Sequence, residues 1–287
     1  LFFKAHFAVF SNGLSGVDKA SSHNGGDAIA RQESMATNSL TRVLALLEVF
    51  TEERLEWTPE EFMQELGYSR PTLYRYLKGL REAGLVIPTR HAGFTLGPKV
   101  VEMDYLMRKS DALVLCGLPY LKDLAEAYMC TAFLVRWYGN KILCVASESS
   151  TKNSLSSYPR GRPMPLGRGA IARSIMAFLP RQRLMPLIER NFDDLRSIGL
   201  GHSTGEIYKR LKKVRRSGFA VAHGEVTPGV VGIAAPIFDA GGHPVASLCL
   251  TIAGNLVTGS EIDQIGPQVQ RVASRIGTES FPEISLK

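Results

Sequence analysis

From Leu40 onward, apolar residues at Leu40, Val43, Leu44, Leu47 and Phe50 follow a helical spacing and predict a first helix capped by Asn38 or Ser39. Between Glu56 and Leu96 the chain reads EWTPEEFMQELGYSRPTLYRYLKGLREAGLVIPTRHAGFTL. Thr58 stands as an N-cap, Pro59 at the first helical position and Glu61 at N3, the pattern of a capping box. Phe62, Met63 and Leu66 give a short apolar face, and Gly67 can adopt the left-handed conformation that stops the helix. Ser69 then caps a second helix, in which Leu73, Leu77 and Leu80 recur at i, i+4 and i+7. Two helices on so tight a turn predict a helix-turn-helix, whose second helix can lie in a DNA major groove. Past Gly84, LVIP and FTL flank TRHAG and predict two short strands and their turn, a wing.

The pattern then changes period. Val100 to Met107 predicts a linking helix, and Leu113 to Tyr128 a second one with an interruption near Pro119. TAFLVRWY and KILCVAS, joined around Gly139-Asn140, predict a hairpin. Proline and glycine mark SYPRGRPMPLGRG as a loop. Helices are expected at about Ala170 to Leu179, Pro180 to Arg190, Glu206 to Ser217 and Ser260 to Ile276. Strands are expected at Phe219 to Ala222, Val231 to Phe238 and Val245 to Ile252, the last two joined by DAGGH. Hairpins with flanking helices make this half α+β.

Charge sharpens the first half. With its leucines turned inward, the second helix points Arg70, Thr72, Tyr74, Arg75 and Lys78 outward. Tyr68 to Arg81 holds Arg70, Arg75, Lys78 and Arg81 and no acid, whereas Glu60, Glu61 and Glu65 sit on the preceding helix. Such segregation is the footprint expected for phosphate, and a formal net charge of +7 agrees. At 287 residues, 45% of them hydrophobic, the chain has room for about two domains with real cores.

Other chemistry finds little support. Cys116, Cys130, Cys144 and Cys249 form no CxxC pair and fit reduced, mostly buried thiols in a cytoplasmic protein. The six histidines have no metal-ligand spacing. Gly167, Gly169 and Ala172 match GxGxxA, but the three prolines of PRGRPMPL before them exclude a central parallel strand. No serine lies in a GxSxG elbow. Neither a metal nor another cofactor is expected. No apolar run approaches the roughly 20 residues that span a bilayer, so no membrane partner is expected. Residues 1–35 are expected to be a disordered extension, since LFFKAHFAVF has no leading charged region and the sequence after it is rich in Ser, Gly and Asn.

SLTRVLALLEVF, YSRPTLYRYLKGLREAGLV and FTLGPKVVEM resemble the winged DNA-binding domain of the IclR family of bacterial transcription regulators. GRPMPLGRGAIARSIMAFLP and RRSGFAVAHGEVTPGVVGIAAPIFDAGGHPVASLCLTI resemble that family's effector domain, in the same order. The resemblance implies a winged helix-turn-helix over 36–98, a linker helix over 99–115, a GAF-like or profilin-like effector domain over 116–279 and a tail over 280–287. It implies a double-stranded DNA operator read by Ser69, Arg70, Thr72, Tyr74, Arg75, Lys78 and Arg81. It also implies a small organic acid effector held by Pro165, Gly169, Ala170, Ala222, Val230, Gly232, Cys249 and Thr251. Many members carry an acid where this chain has Ala222, and a polar residue or cysteine where it has Gly232; the smaller residues leave room for an aromatic acid. Free N–H groups at the Gly169 helix start, with Arg160, Arg162 and Arg168 nearby, would favour an anion. The family implies a homodimer or dimer of dimers, with Val100, Val101, Tyr105 and Leu106 as a contact or as cover for their own core. The alternatives are a small-molecule enzyme with an accessory nucleic-acid domain, and a DNA-binding protein whose cavity takes no effector.

Overall fold

The computed structural model describes residues 39–150 and 158–282. The expected N-terminal extension lies outside them. The chain divides into two compact units, one ending at Asp104 and the other starting at Tyr105. That boundary falls inside a single helix, α4 (Pro98–Ser110).

The first unit is built from α1 (residues 39–48), α2 (Pro59–Leu66), α3 (Arg70–Glu82) and the hairpin β1 (Val86–Pro88) and β2 (Phe94–Leu96). The capping box forms: the Thr58 N–H donates to the Glu61 carboxylate at 2.8 Å and the Glu61 N–H to Thr58 Oγ1 at 3.3 Å. Gly67 stops α2 at φ 67°. Ser69 precedes α3, but its hydroxyl donates to Thr72 Oγ1 at 3.0 Å instead of accepting a backbone cap bond. Trp57 pairs with Phe94 through two backbone hydrogen bonds, 3.0 and 2.8 Å, which adds a third short edge to the wing. Leu46, Trp57, Phe62, Leu73, Leu77 and Leu80 make the core. The expected face of α1 is corrected. Leu46 is buried with Val43, Leu47 and Phe50 packed around it, while Leu40 and Leu44 are exposed. The helix is apolar over more than one stripe, and packing chose the neighbouring one.

No residue of α4 is buried, and Val100, Val101, Tyr105 and Leu106 are all exposed, so they cover no core. In the second unit α5 (Ala112–Tyr128) runs straight through Pro119. The expected interruption is absent because Leu115, whose carbonyl loses its N–H partner, is exposed and can be served by water. The sheet holds β3 (Thr131–Trp137), β4 (Ile142–Ser149), β5 (Pro163–Met164), β6 (Ala220–His223), β7 (Val230–Phe238) and β8 (Pro244–Ala253), ordered β5-β4-β3-β8-β7-β6 and antiparallel throughout. β5 lies inside the expected loop, and its proline is tolerated at the sheet edge.

Alternation along the strands sorts the core into two layers. Leu134, Ile233, Ala235, Leu248 and Leu250 face α5 and the terminal helix α10 (Gly259–Ser280). Phe133, Val135, Ala222, Ala234 and Cys249 face α6 (Ala170–Met176), α7 (Arg181–Arg190), α8 (Phe192–Ser197) and α9 (Thr204–Ser217). Ser174 of α6 and Ser247 of β8 bond through their buried hydroxyls at 2.8 Å, which pins α6 to the sheet. α8 follows a one-residue break after α7 and is too short for its period to be read in advance.

Candidate functional site

Two constellations carry chemistry, one in each unit. On α3, Leu73, Tyr76, Leu77 and Leu80 face the core, so Arg70, Tyr74, Arg75, Lys78 and Arg81 point outward and are exposed. Ser69 is exposed at the helix start and Thr72 is half-buried. The Arg70 guanidinium lies 5.7 Å from the Tyr74 ring centre. Lys78 approaches Glu82 at 3.9 Å, both largely exposed, which leaves the ammonium available. The face therefore offers guanidinium and ammonium donors beside an aromatic hydroxyl, with its nearest acid one residue past Arg81. Arg90 and His91 stand exposed at the tip of the wing.

In the second unit a cavity of about 60 Å³ opens between the sheet and the start of α6. Pro165, Gly169, Ala170, Ala222, Val230, Gly232, Cys249 and Thr251 all line it. Strand register explains the convergence: Ala222 pairs with Gly232, Gly232 with Thr251 and Thr251 with Thr131, one row across four strands. Ala234, Cys249 and Phe133 form the next row on the same face. The Thr251 hydroxyl donates to the Thr131 carbonyl at 3.2 Å and keeps its lone pairs. Burial raises the Cys249 thiol well above its ordinary range, so it lines the cavity as a neutral apolar group. Phe133 and Tyr158 meet edge to face, with centroids 6.3 Å apart, and make an aromatic wall.

The helix start is not free. The Gly169 N–H donates to Glu225 Oε2 at 2.8 Å, and Glu225 Oε1 accepts from Arg173 Nη1 at 2.7 Å. Arg173 also donates to the Val221 carbonyl. An internal carboxylate thus fills the position expected for an anion. The nearby arginines are engaged as well. Arg168 pairs with Asp194, Arg160 donates to the Val145 carbonyl, and the Arg162 guanidinium lies 4.9 Å from the Tyr158 ring centre.

A family model for the IclR helix-turn-helix domain matches residues 39–87, and one for the bacterial transcriptional regulator IclR C-terminal domain matches residues 109–278. The chain belongs to the IclR family. The Pca regulon regulatory protein of Pseudomonas putida is 25% identical over 238 residues, covering 83% of this chain and 81% of that protein. Among solved structures, an IclR transcriptional regulator of Silicibacter sp. TM1040 aligns at TM-score 0.70 and 21% identity, over 83% of this chain and 96% of that one. An IclR homolog of Microbacterium hydrocarbonoxydans, solved with 4-hydroxybenzoate, aligns at TM-score 0.66 and 19% identity, over 84% and 100%. The chain is an IclR-type transcriptional regulator with an N-terminal helix-turn-helix and a C-terminal effector domain. The enzyme alternative finds no support, because the curated relatives are named as regulators.

Within this IclR-type domain, sequence reasoning missed Phe133, Tyr158, Met164, Ile171, Glu225, Val226 and Thr227, which complete the cavity lining. Phe133 was within reach, since TAFLVRWY alternates as the cavity strands do. Glu225 was not, for its partner Arg173 lies 52 residues away on another element. Among the described residues no cluster of three or more His, Cys, Asp or Glu could hold a metal. No described helix is long and apolar enough to cross a membrane.

Proposed function

We propose that this regulator reads an operator through α3 and that a small aromatic acid in the cavity changes its affinity for that operator. Arg70, Thr72, Tyr74 and Arg75 contact base edges in the major groove of double-stranded DNA, while Ser69, Lys78 and Arg81 meet phosphates. A single short helix reads only a few base pairs, so two copies act together, as a homodimer or dimer of dimers held in part by the exposed face of α4. The effector acts by preferring one arrangement of the protein, and its differential affinity for the two arrangements sets the size of the response.

What carries the effector reading is the convergence of the eight lining residues on one cavity whose walls are mostly apolar. Its volume of about 60 Å³ is well below the roughly 150 Å³ of a cavity that encloses benzene, so a ring enters through the open side and as the lining side chains move apart. The ring lies against Phe133, Tyr158 and Val230. Its acid group turns toward Arg168, whose pairing with Asp194 is partly exposed and can be shared or exchanged, whereas the Gly169 N–H is held by the shielded Glu225. The 4-hydroxybenzoate bound by the Microbacterium homolog favours the same ligand class.

Gly232 offers a cleaner test than Gly169. A Cβ at Gly169 would strain a φ of 90° and approach Val226 to 2.9 Å, whereas one at Gly232 meets Ala170 at an ordinary 3.6 Å. Thermal unfolding is followed with 4-hydroxybenzoate, benzoate and pyruvate. At a hundredfold excess over Kd a ligand stabilises by about 2.7 kcal/mol, a rise of roughly 5–11 °C for a unit of this size. Gly232→Leu should abolish that rise and leave DNA binding intact. A wild type deaf to all three acids, or a variant that responds like wild type, would end the effector reading.

A further inference from the structure

α9 carries Lys209, Arg210, Lys212, Lys213, Arg215 and Arg216, every one exposed. Among the described residues none of the six is ion-paired with a carboxylate. The helix holds one acid, Glu206, in its first turn, and that carboxylate accepts the His202 N–H at 2.9 Å. Other surface helices of the same unit mix their signs. α5 exposes Lys122 beside Asp123 and Glu126, and α10 exposes Glu261 and Asp263 with Arg271 and Arg275.

The spacing is ordered. Lys209, Lys212, Lys213 and Arg216 stand at i, i+3, i+4 and i+7, a stripe along about 10 Å of helix. Ile207 and Leu211, which are buried, lie on the opposite side. Neighbours at these spacings repel one another, and the packing adds to the crowding. The Arg181 guanidinium of α7 and the Lys212 ammonium lie 5.6 and 4.8 Å from the same Tyr208 ring centre. A face that gathers like charge without compensation is relieved by a polyanion.

We propose that this face of α9 is a second, sequence-independent contact for duplex DNA, distinct from α3. A uniform rod bearing one negative charge per about 1.7 Å of its axis suits a stripe of flexible cations that presents no shaped pocket. The molecule carries its own DNA-reading domain, so duplex bound there stands at high effective concentration for a tethered cationic surface. A membrane surface fits less well. The apolar side of α9 is used up in the core, and nothing remains to insert between lipids.

The test uses the full chain and a 40-base-pair duplex of arbitrary sequence, with binding measured by fluorescence anisotropy between about 50 and 200 mM salt. In one variant Lys209, Lys212, Lys213 and Arg216 are each changed to Gln. A control changes Lys122, Lys141, Arg271 and Arg275 to Gln, which removes the same charge from exposed positions elsewhere in the unit. Each lost phosphate contact lowers the salt slope by about 0.9, so the α9 variant should lose about 3–4 per engaged protomer and the control almost nothing. Circular dichroism should match wild type for both. A wild-type slope in the α9 variant overturns the proposal, as does an equal loss in the control. Unaltered DNA binding with lost binding to polyglutamate or anionic vesicles also overturns it, and gives the face to that partner.

Discussion

Replacing Glu225 by Leu tests how the cavity is held together. The Arg173 side chain is 7% exposed and that of Glu225 13%, so the pair is shielded from solvent. The carboxylate serves two donors, Arg173 at 2.7 Å and the Gly169 N–H at 2.8 Å. Glu225→Leu leaves the guanidinium with the Val221 carbonyl alone and orphans the Gly169 N–H. Removing one partner of a buried pair costs about 3–5 kcal/mol, which for a unit of this size corresponds to roughly 6–20 °C. Glu225→Gln keeps an acceptor but loses the charge and should cost about 1–2 kcal/mol. Arg173→Met combined with Glu225→Leu should recover most of the loss, because two apolar groups replace two charges. The assay is urea unfolding in a Trp57→Phe background, where Trp137 alone reports on the second unit. A loss below about 1 kcal/mol for Glu225→Leu, the range of a solvent-exposed pair, would refute the reasoning. So would a double variant whose cost is the sum of the singles.

Arg70→Ala or Arg75→Ala should each weaken operator binding by about 1–3 kcal/mol and relax base preference at one position, measured by competition at fixed salt; unchanged preference in both removes α3 as the reader. Val101→Glu with Leu106→Glu should shift the protein toward monomer in light scattering at micromolar concentration, and an unchanged mass would show that α4 makes no contact between copies. Burial holds Cys130 up to about 12 and Cys144 up to about 11, against about 8.5 for an unfolded thiol. The unfolded chain therefore releases these protons first, and the stability they contribute is complete below about pH 8.5 and lost as pH climbs toward 11 and 12. Urea midpoints between pH 8 and pH 10.5 should fall for wild type and fall less for Cys130→Ala, and parallel curves would contradict the assignment.

Much of the architecture was legible because it is local. Thr58, Pro59 and Glu61 announce α2 within four residues, and the alternation through Cys249 and Thr251 already fixed which side chains share a face. Register between distant strands then needed only the hairpin turns to bring Ala222, Gly232 and Thr251 into line. Three features resisted for physical reasons. α1 is apolar over two overlapping stripes, and only the core it shares with Phe62 and Leu77 chose Leu46. Pro119 breaks helices in general, yet Leu115 here can give its orphaned carbonyl to water. The Glu225 contact with Gly169 and Arg173 joins a loop to a helix across the fold, and no periodicity encodes such a pair.

Gly232 and Ala222 carry one more consequence. They sit in mid-strand, hydrogen-bonded into a sheet whose other face holds Ile233, Leu248 and Leu250 in the core. At Gly232 an added Cβ meets nothing closer than 3.6 Å, so the strand has no need of that particular side chain. If the cavity takes the proposed effector, volume selection and structural integrity fall on opposite sides of one ribbon. A lineage could exchange the molecules admitted to the cavity by swapping one or two methyl groups, with the scaffold underneath left untouched. Responsiveness to chemistry can drift quickly in such a protein while its shape stays old.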